Sequence, residues 1–96
     1  MVRCYRKKNF NVYSGDDDTY IIHNMSKKFE DGHTHVRNFK TCKYIIDLSI
    51  HKSIPRNSPP RVIESLIRIA DDDNYIQRLK KFRNNKKKKL RYNNKQ

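Results

Sequence analysis

The sequence predicts an α+β domain. A small N-terminal antiparallel sheet (a hairpin plus a short strand) packs on two to three C-terminal helices, and a basic tail follows. Three observations carry this reading. Apolar residues alternate with polar ones in the first third of the chain and recur at helical spacing after Asn38. The chain has 96 residues, of which 34% are hydrophobic, so it can bury one core but not two. Its last dozen residues are almost wholly polar and cationic and cannot bury a face of their own. The expected organisation is a single domain over residues 1–83 and a tail over residues 84–96.

The elements follow in order. Val2 and Cys4 alternate with Arg3, and Phe10 and Val12 alternate with Asn9 and Asn11. Tyr13-Ser14-Gly15-Asp16-Asp17-Asp18 is turn chemistry, because Gly and Asp tolerate dihedrals that other residues avoid. Thr19-Tyr20-Ile21-Ile22-His23 is rich in strand formers. Together these predict a hairpin from about Asn9 to His23. Phe29 to Gly32 marks a second turn, and His33-Thr34-His35-Val36 fits either a third short strand or an irregular loop.

From Asn38 the period changes. Phe39, Cys42, Ile45, Ile46 and Ser49 or Ile50 share one helical face, with Asn38 as cap and an end near Lys52. Ser53-Ile54-Pro55-Arg56-Asn57 breaks the pattern. Ser58 is the expected N-cap of a second helix, with Pro59 at its first position, where a missing N–H costs nothing. Val62, Ile63, Leu66, Ile67 and Ala70 form its buried stripe. Asp71-Asp72-Asp73 caps a third helix and places negative charge at the positive end of its dipole. Tyr75, Ile76, Leu79 and Phe82 form its apolar face, and beyond Asn84-Asn85 the helix is expected to fray into the tail.

Charge is distributed unevenly. The formal net charge is +13, yet residues 1–73 hold thirteen cations against all ten acids. From Asn74 onward there is no acid, and ten of the +13 lie there. This asymmetry implies a polyanionic partner, most economically nucleic acid, DNA or RNA. The expected contact residues are Arg78, Lys80, Lys81, Arg83, Lys86, Lys87, Lys88, Lys89 and Arg91, with Tyr92 offering a ring for stacking. Arg3, Arg6, Lys7 and Lys8, with Tyr5 and Tyr13, form a second basic cluster that either extends the binding face or is an ordinary solvated strand. A helix-turn-helix docking is disfavoured. It would present Asp72 and Asp73 to phosphate, even though Asn74 and Gln77 could read adenine. A membrane surface is also disfavoured, because the apolar stripe of the third helix is short and needed for the core.

Other chemistry finds little support. His33 and His35 make half of a metal site, but His23, His51, Cys4 and Cys42 supply no second pair at standard spacing, so no metal or other cofactor is expected. Asp16 to Asp18 and Asp71 to Asp73 sit where turns and caps already demand aspartate, and no nucleophile–base order or phosphate loop exists, so no enzymatic activity is expected. Met1 leads into Arg3, Arg6, Lys7 and Lys8 with no apolar run, unlike a secretory leader. Two reduced thiols in the cytoplasm of a bacterial host are therefore expected. Heavy use of Lys, Asn, Ile, Tyr and Asp points to an AT-rich genome.

Lys28-Phe29-Glu30-Asp31-Gly32-His33-Thr34-His35 is one of two distinctive stretches. The other is Ser65-Leu66-Ile67-Arg68-Ile69-Ala70-Asp71-Asp72-Asp73-Asn74-Tyr75 with the Arg91-Tyr92-Asn93-Asn94 end. With them the chain resembles small basic proteins of Gram-positive phages and mobile elements. The resemblance spans about residues 23 to 94 and implies a habitat without assigning residue roles. That habitat implies a rival to plain nucleic-acid binding: an inhibitor that grips a host nucleoprotein enzyme, as anti-CRISPR proteins do.

Overall fold

Four strands precede three helices in the computed structural model, which describes the backbone of residues 2–94 and the side chains of residues 2–86. The strands are β1 (Val2–Lys7), β2 (Phe10–Ser14), β3 (Thr19–Asn24) and β4 (His33–Arg37). They form one antiparallel sheet in the order β1-β2-β3-β4. The helices are α1 (Phe39–His51), α2 (Pro60–Ile69) and α3 (Asp73–Asn94). The α+β class is therefore as the sequence predicts, with a larger sheet than a hairpin and one short strand.

The turns explain the difference. Lys8 and Asn9 join β1 to β2, and Lys8 adopts φ 54°, a left-handed conformation without a glycine to announce it. Strand β2 extends through Ser14, so the turn predicted to begin at Tyr13 starts later. Asp17 and Asp18 both take positive φ there, which aspartate tolerates better than most residues. His33–Val36 is strand, paired along its length with β3. The loop before it needs Gly32, since a Cβ at that position would lie 2.7 Å from Lys27 Cβ.

The helical starts follow local chemistry. Asn38 caps α1 as expected, its side chain accepting from Lys40 N, and Lys52 ends it in the left-handed region. Ser58 does not cap α2. A proline disfavours the helical region in the residue before it, so Pro60 holds Pro59 extended at ψ 151° and the helix begins one residue later. Ser58 instead donates its hydroxyl to Pro55 O at 2.8 Å. Asp72 caps α3, its Oδ1 accepting from Tyr75 N at 3.0 Å. Helical backbone then continues past Asn84 to Asn94.

One core lies between the sheet and the helices. Phe10, Val12, Ile22 and Val36 come from the strands. Cys42, Ile45 and Ile46 meet them from α1, and Val62, Ile63, Leu66 and Ile69 from α2. Tyr75 and Leu79 close the far side. Ile69, not Ile67, completes the α2 stripe; Ile67 is only partly buried against the core, as are Phe39, Ile76 and Phe82. Buried polar groups fix the layers against each other. Asn24 donates to Ile69 O at 2.8 Å, and Lys27 reaches Ala70 O at 3.1 Å, so the last carbonyls around the α2 terminus are satisfied from the sheet side. Thr34 and Ser65 share a hydrogen bond of 3.0 Å between β4 and α2.

Candidate nucleic-acid interface

Helix α3 holds residues 74–94 of the acid-free segment on one rod. Tyr75, Leu79, Phe82 and Lys86 recur at intervals of three and four, so they share the side that faces the body. The basic residues then divide by what they touch. Arg78 Nη1 donates to Lys52 O at 3.4 Å and its guanidinium lies over the Tyr75 ring. Arg83 pairs with Glu64 at 2.9 Å, and Lys86 donates to Ser58 O at 3.0 Å with its ammonium over the Phe82 ring. Lys80 and Lys81 are exposed and make no hydrogen bond or ion pair to other described residues. Lys87, Lys88, Lys89, Arg91 and Tyr92 lie on the helical backbone of α3, but their side chains fall outside the described residues.

The tethered cations are not lost to a polyanion. An exposed ion pair such as Arg83–Glu64 contributes about 1 kcal/mol or less, so a phosphate can compete for the guanidinium. Lys80 and Lys81 need give up nothing.

The start of α3 is occupied differently. Asp72 is bound by Lys52 at 2.6 Å and caps the helix, and these two hydrogen bonds hold its carboxyl below the usual carboxylate range. A helix-turn-helix docking would have to place this fixed carboxylate against phosphate. The geometry therefore strengthens the objection drawn from the sequence.

The N-terminal basic cluster is split by the strand period. Lys7 turns toward α1 and pairs with Asp47 at 2.6 Å, and that hydrogen bond raises its pKa. Tyr5 packs edge-on against Phe39 on the same side. Arg3 and Arg6 project from the opposite face of the sheet, where no helix lies.

That open face carries side chains whose collective placement sequence reasoning missed. Register sets Arg6, Asn11, His23 and His33 in one row across all four strands. A second row holds Arg3, Tyr13, Ile21 and His35, and Arg37 lies beyond it. Phe29 reaches over from the β3–β4 loop and stacks on His33, with ring centres 4.2 Å apart and 7° between planes. His23 and His35 meet this pair edge-on. The period of two in His33-Thr34-His35-Val36-Arg37 was the available signal, once that segment was assigned to a strand.

The imidazoles have other partners. His23 Nε2 bonds Lys27 O at 2.9 Å and His33 Nδ1 bonds Phe29 O. Among the described residues no group of three or more His, Cys, Asp or Glu side chains is arranged to hold a metal ion. Cys4 and Cys42 are both free thiols. Among the described residues no helix is long and apolar enough to cross a membrane.

No protein-family model, curated protein or solved structure matches this chain.

Proposed function

We propose that this chain is a non-enzymatic nucleic-acid-binding protein of a phage or mobile element, contacting phosphates through α3 and the basic residues at its end. One observation carries the reading. The segment from Asn74 onward holds ten cations and no acid, and Lys80 and Lys81 stand exposed on the helix that presents it. Cations gathered on a rod can track a phosphate backbone, and each contact releases condensed counterions. If roughly five of these charges meet phosphates, log affinity should fall with log salt at a slope of about −4. A filter-binding or anisotropy titration across salt concentrations measures this directly. Salt-independent binding, or none at low salt, would remove the reading.

A second reading has one observation in its favour. An open cleft of about 420 Å³ lies beside the edge strand β4, between it and helices α1 and α2. Val36, Ile45, Pro59 and Val62 give it apolar walls, and Arg37 and Arg61 flank them. An apolar cleft beside an edge strand suits an added strand or side chain of a protein partner, as expected of an inhibitor that grips a host nucleic-acid enzyme. Recovery of partners from a low-GC bacterial lysate, with and without nuclease, separates the two. Nuclease-sensitive recovery supports nucleic-acid binding, and a stoichiometric nuclease-resistant protein supports inhibition.

A further inference from the structure

We infer that the open face of the sheet is a platform for single-stranded nucleic acid, with bases stacking on its rings and phosphates pairing with its arginines. The inference rests on the nucleic-acid reading and adds a second surface to it, remote in sequence from α3. Three features support it together.

The first is charge. Arg3, Arg6 and Arg37 stand on the open face, and none of the chain's ten acids is among its strand residues. The nearest acids by sequence, Asp16 to Asp18 and Glu30–Asp31, sit in turns at the two ends of the sheet. The face is thus complementary to a polyanion and repels a second copy of itself.

The second is the rings. Phe29 is 38% exposed, and the antiparallel register brings Tyr13 and His35 into one row. An exposed phenylalanine fixed flat against His33 is already organised, so little side-chain entropy is lost when a base stacks on it. Asn11 lies in the adjacent row, only 5% exposed, with Nδ2 directed to Tyr13 Oη and Met25 Sδ; its Oδ1 has no hydrogen-bond partner among the described residues. An unfilled acceptor on this face is one that a base amine can satisfy.

The third is width. Four strands spaced about 4.8 Å apart make a surface roughly 14 Å across. That exceeds the major groove of B-form DNA, about 12 Å wide, which admits a helix or a two-stranded ribbon. A flat surface bearing rings and cations accepts unstacked bases instead, which only a single strand supplies.

The test uses the full chain with twelve-nucleotide oligothymidylate, oligouridylate and a DNA duplex of equal length as probes. Three double variants are compared with the wild type: Phe29→Ala/His35→Ala, Arg3→Gln/Arg6→Gln, and Lys80→Gln/Lys81→Gln. All six side chains are exposed, and melting curves show whether each variant keeps the fold. Both sheet variants should weaken single-strand binding at least fivefold and change duplex binding less than twofold. The α3 variant should weaken both probe types. Sheet variants that bind single strands like the wild type, while the α3 variant loses affinity, overturn the platform and leave the nucleic-acid reading intact. Ring substitutions that instead shift a monomer–dimer equilibrium would assign the face to a second copy. A wild type that binds no probe at low salt removes the nucleic-acid reading itself.

Discussion

Cys4 and Cys42 show how burial, not residue type, decides what a side chain can do. Cys42 is fully buried in α1, and burial pushes its thiol up to about 12. The thiolate is the reactive form, so Cys42 should be inert near neutral pH. Cys4 is exposed on a bulge in β1, with its Sγ 3.6 Å from Val12 O. Iodoacetamide at pH 8 should modify Cys4 alone in the folded protein and both thiols in denaturant. Peptide mass spectrometry reads the outcome, and equal labelling in the native state would mean that α1 does not pack as described. Asn24 makes the same point from the polar side. In sequence it is only the residue after the Thr19–His23 strand, yet it is 1% exposed and joins β3 to the end of α2 and to Asp71. Its role was illegible because both partners lie more than forty residues away, and no local pattern encodes them.

At the scale of elements, periodicity was legible and turns were less so. The stripes of α1, α2 and α3 follow the apolar spacing, because burying one face of a helix imposes that spacing. The β1–β2 turn has no such mark, since Lys8 holds a positive φ that the tertiary pairing imposes on an ordinary residue. The start of α2 was displaced by one residue because Pro60 constrains Pro59 more strongly than Ser58 attracts a cap. The start of α3 yields a prediction. Lys52 and the Tyr75 N–H lower the pKa of Asp72 in the folded state, relative to an unfolded value of about 3.9. As pH falls, the unfolded chain therefore takes up this proton first. The stabilisation is complete above about pH 4 and is lost as pH drops through the lower folded-state value. Asp72→Asn keeps a capping side chain but removes the charge, so it should lower the melting temperature at pH 6 and matter less at pH 2.5. Melting curves at both pH values check this, and an unchanged melting temperature at pH 6 would assign the role of Asp72 to the cap alone.

The whole molecule separates stability from charge. Among the described residues the core ends with Leu79 and the marginal Phe82, whereas seven cations and no acid follow Phe82 in the sequence. The candidate site was legible in sequence where it is linear, along the acid-free segment. It was illegible where strand pairing gathers Arg3, Tyr13, His35 and Arg37 from three separate stretches. Truncation after Asn84 tests the separation. It removes Lys86 to Lys89, Arg91 and Lys95, and within the described part it gives up the Lys86 hydrogen bond to Ser58 O. That bond is part-buried but single, contributing about 1 kcal/mol, so the shortened chain should melt within a few degrees of the full one. Its affinity for duplex DNA should fall steeply, and its salt slope should shrink in proportion to the number of phosphates it no longer neutralises. Leu66→Ala should behave oppositely. Leu66 is fully buried at the centre of the α2 stripe, and its truncation opens a cavity that costs roughly 2–5 kcal/mol. Under conditions where that variant remains folded, its affinity should match the wild type. A truncated chain that melts like the Leu66 variant would make the end of α3 part of the fold. One that binds duplex and single strands as tightly as the full chain would move recognition onto the body, where the β4 cleft and the sheet face are the remaining surfaces.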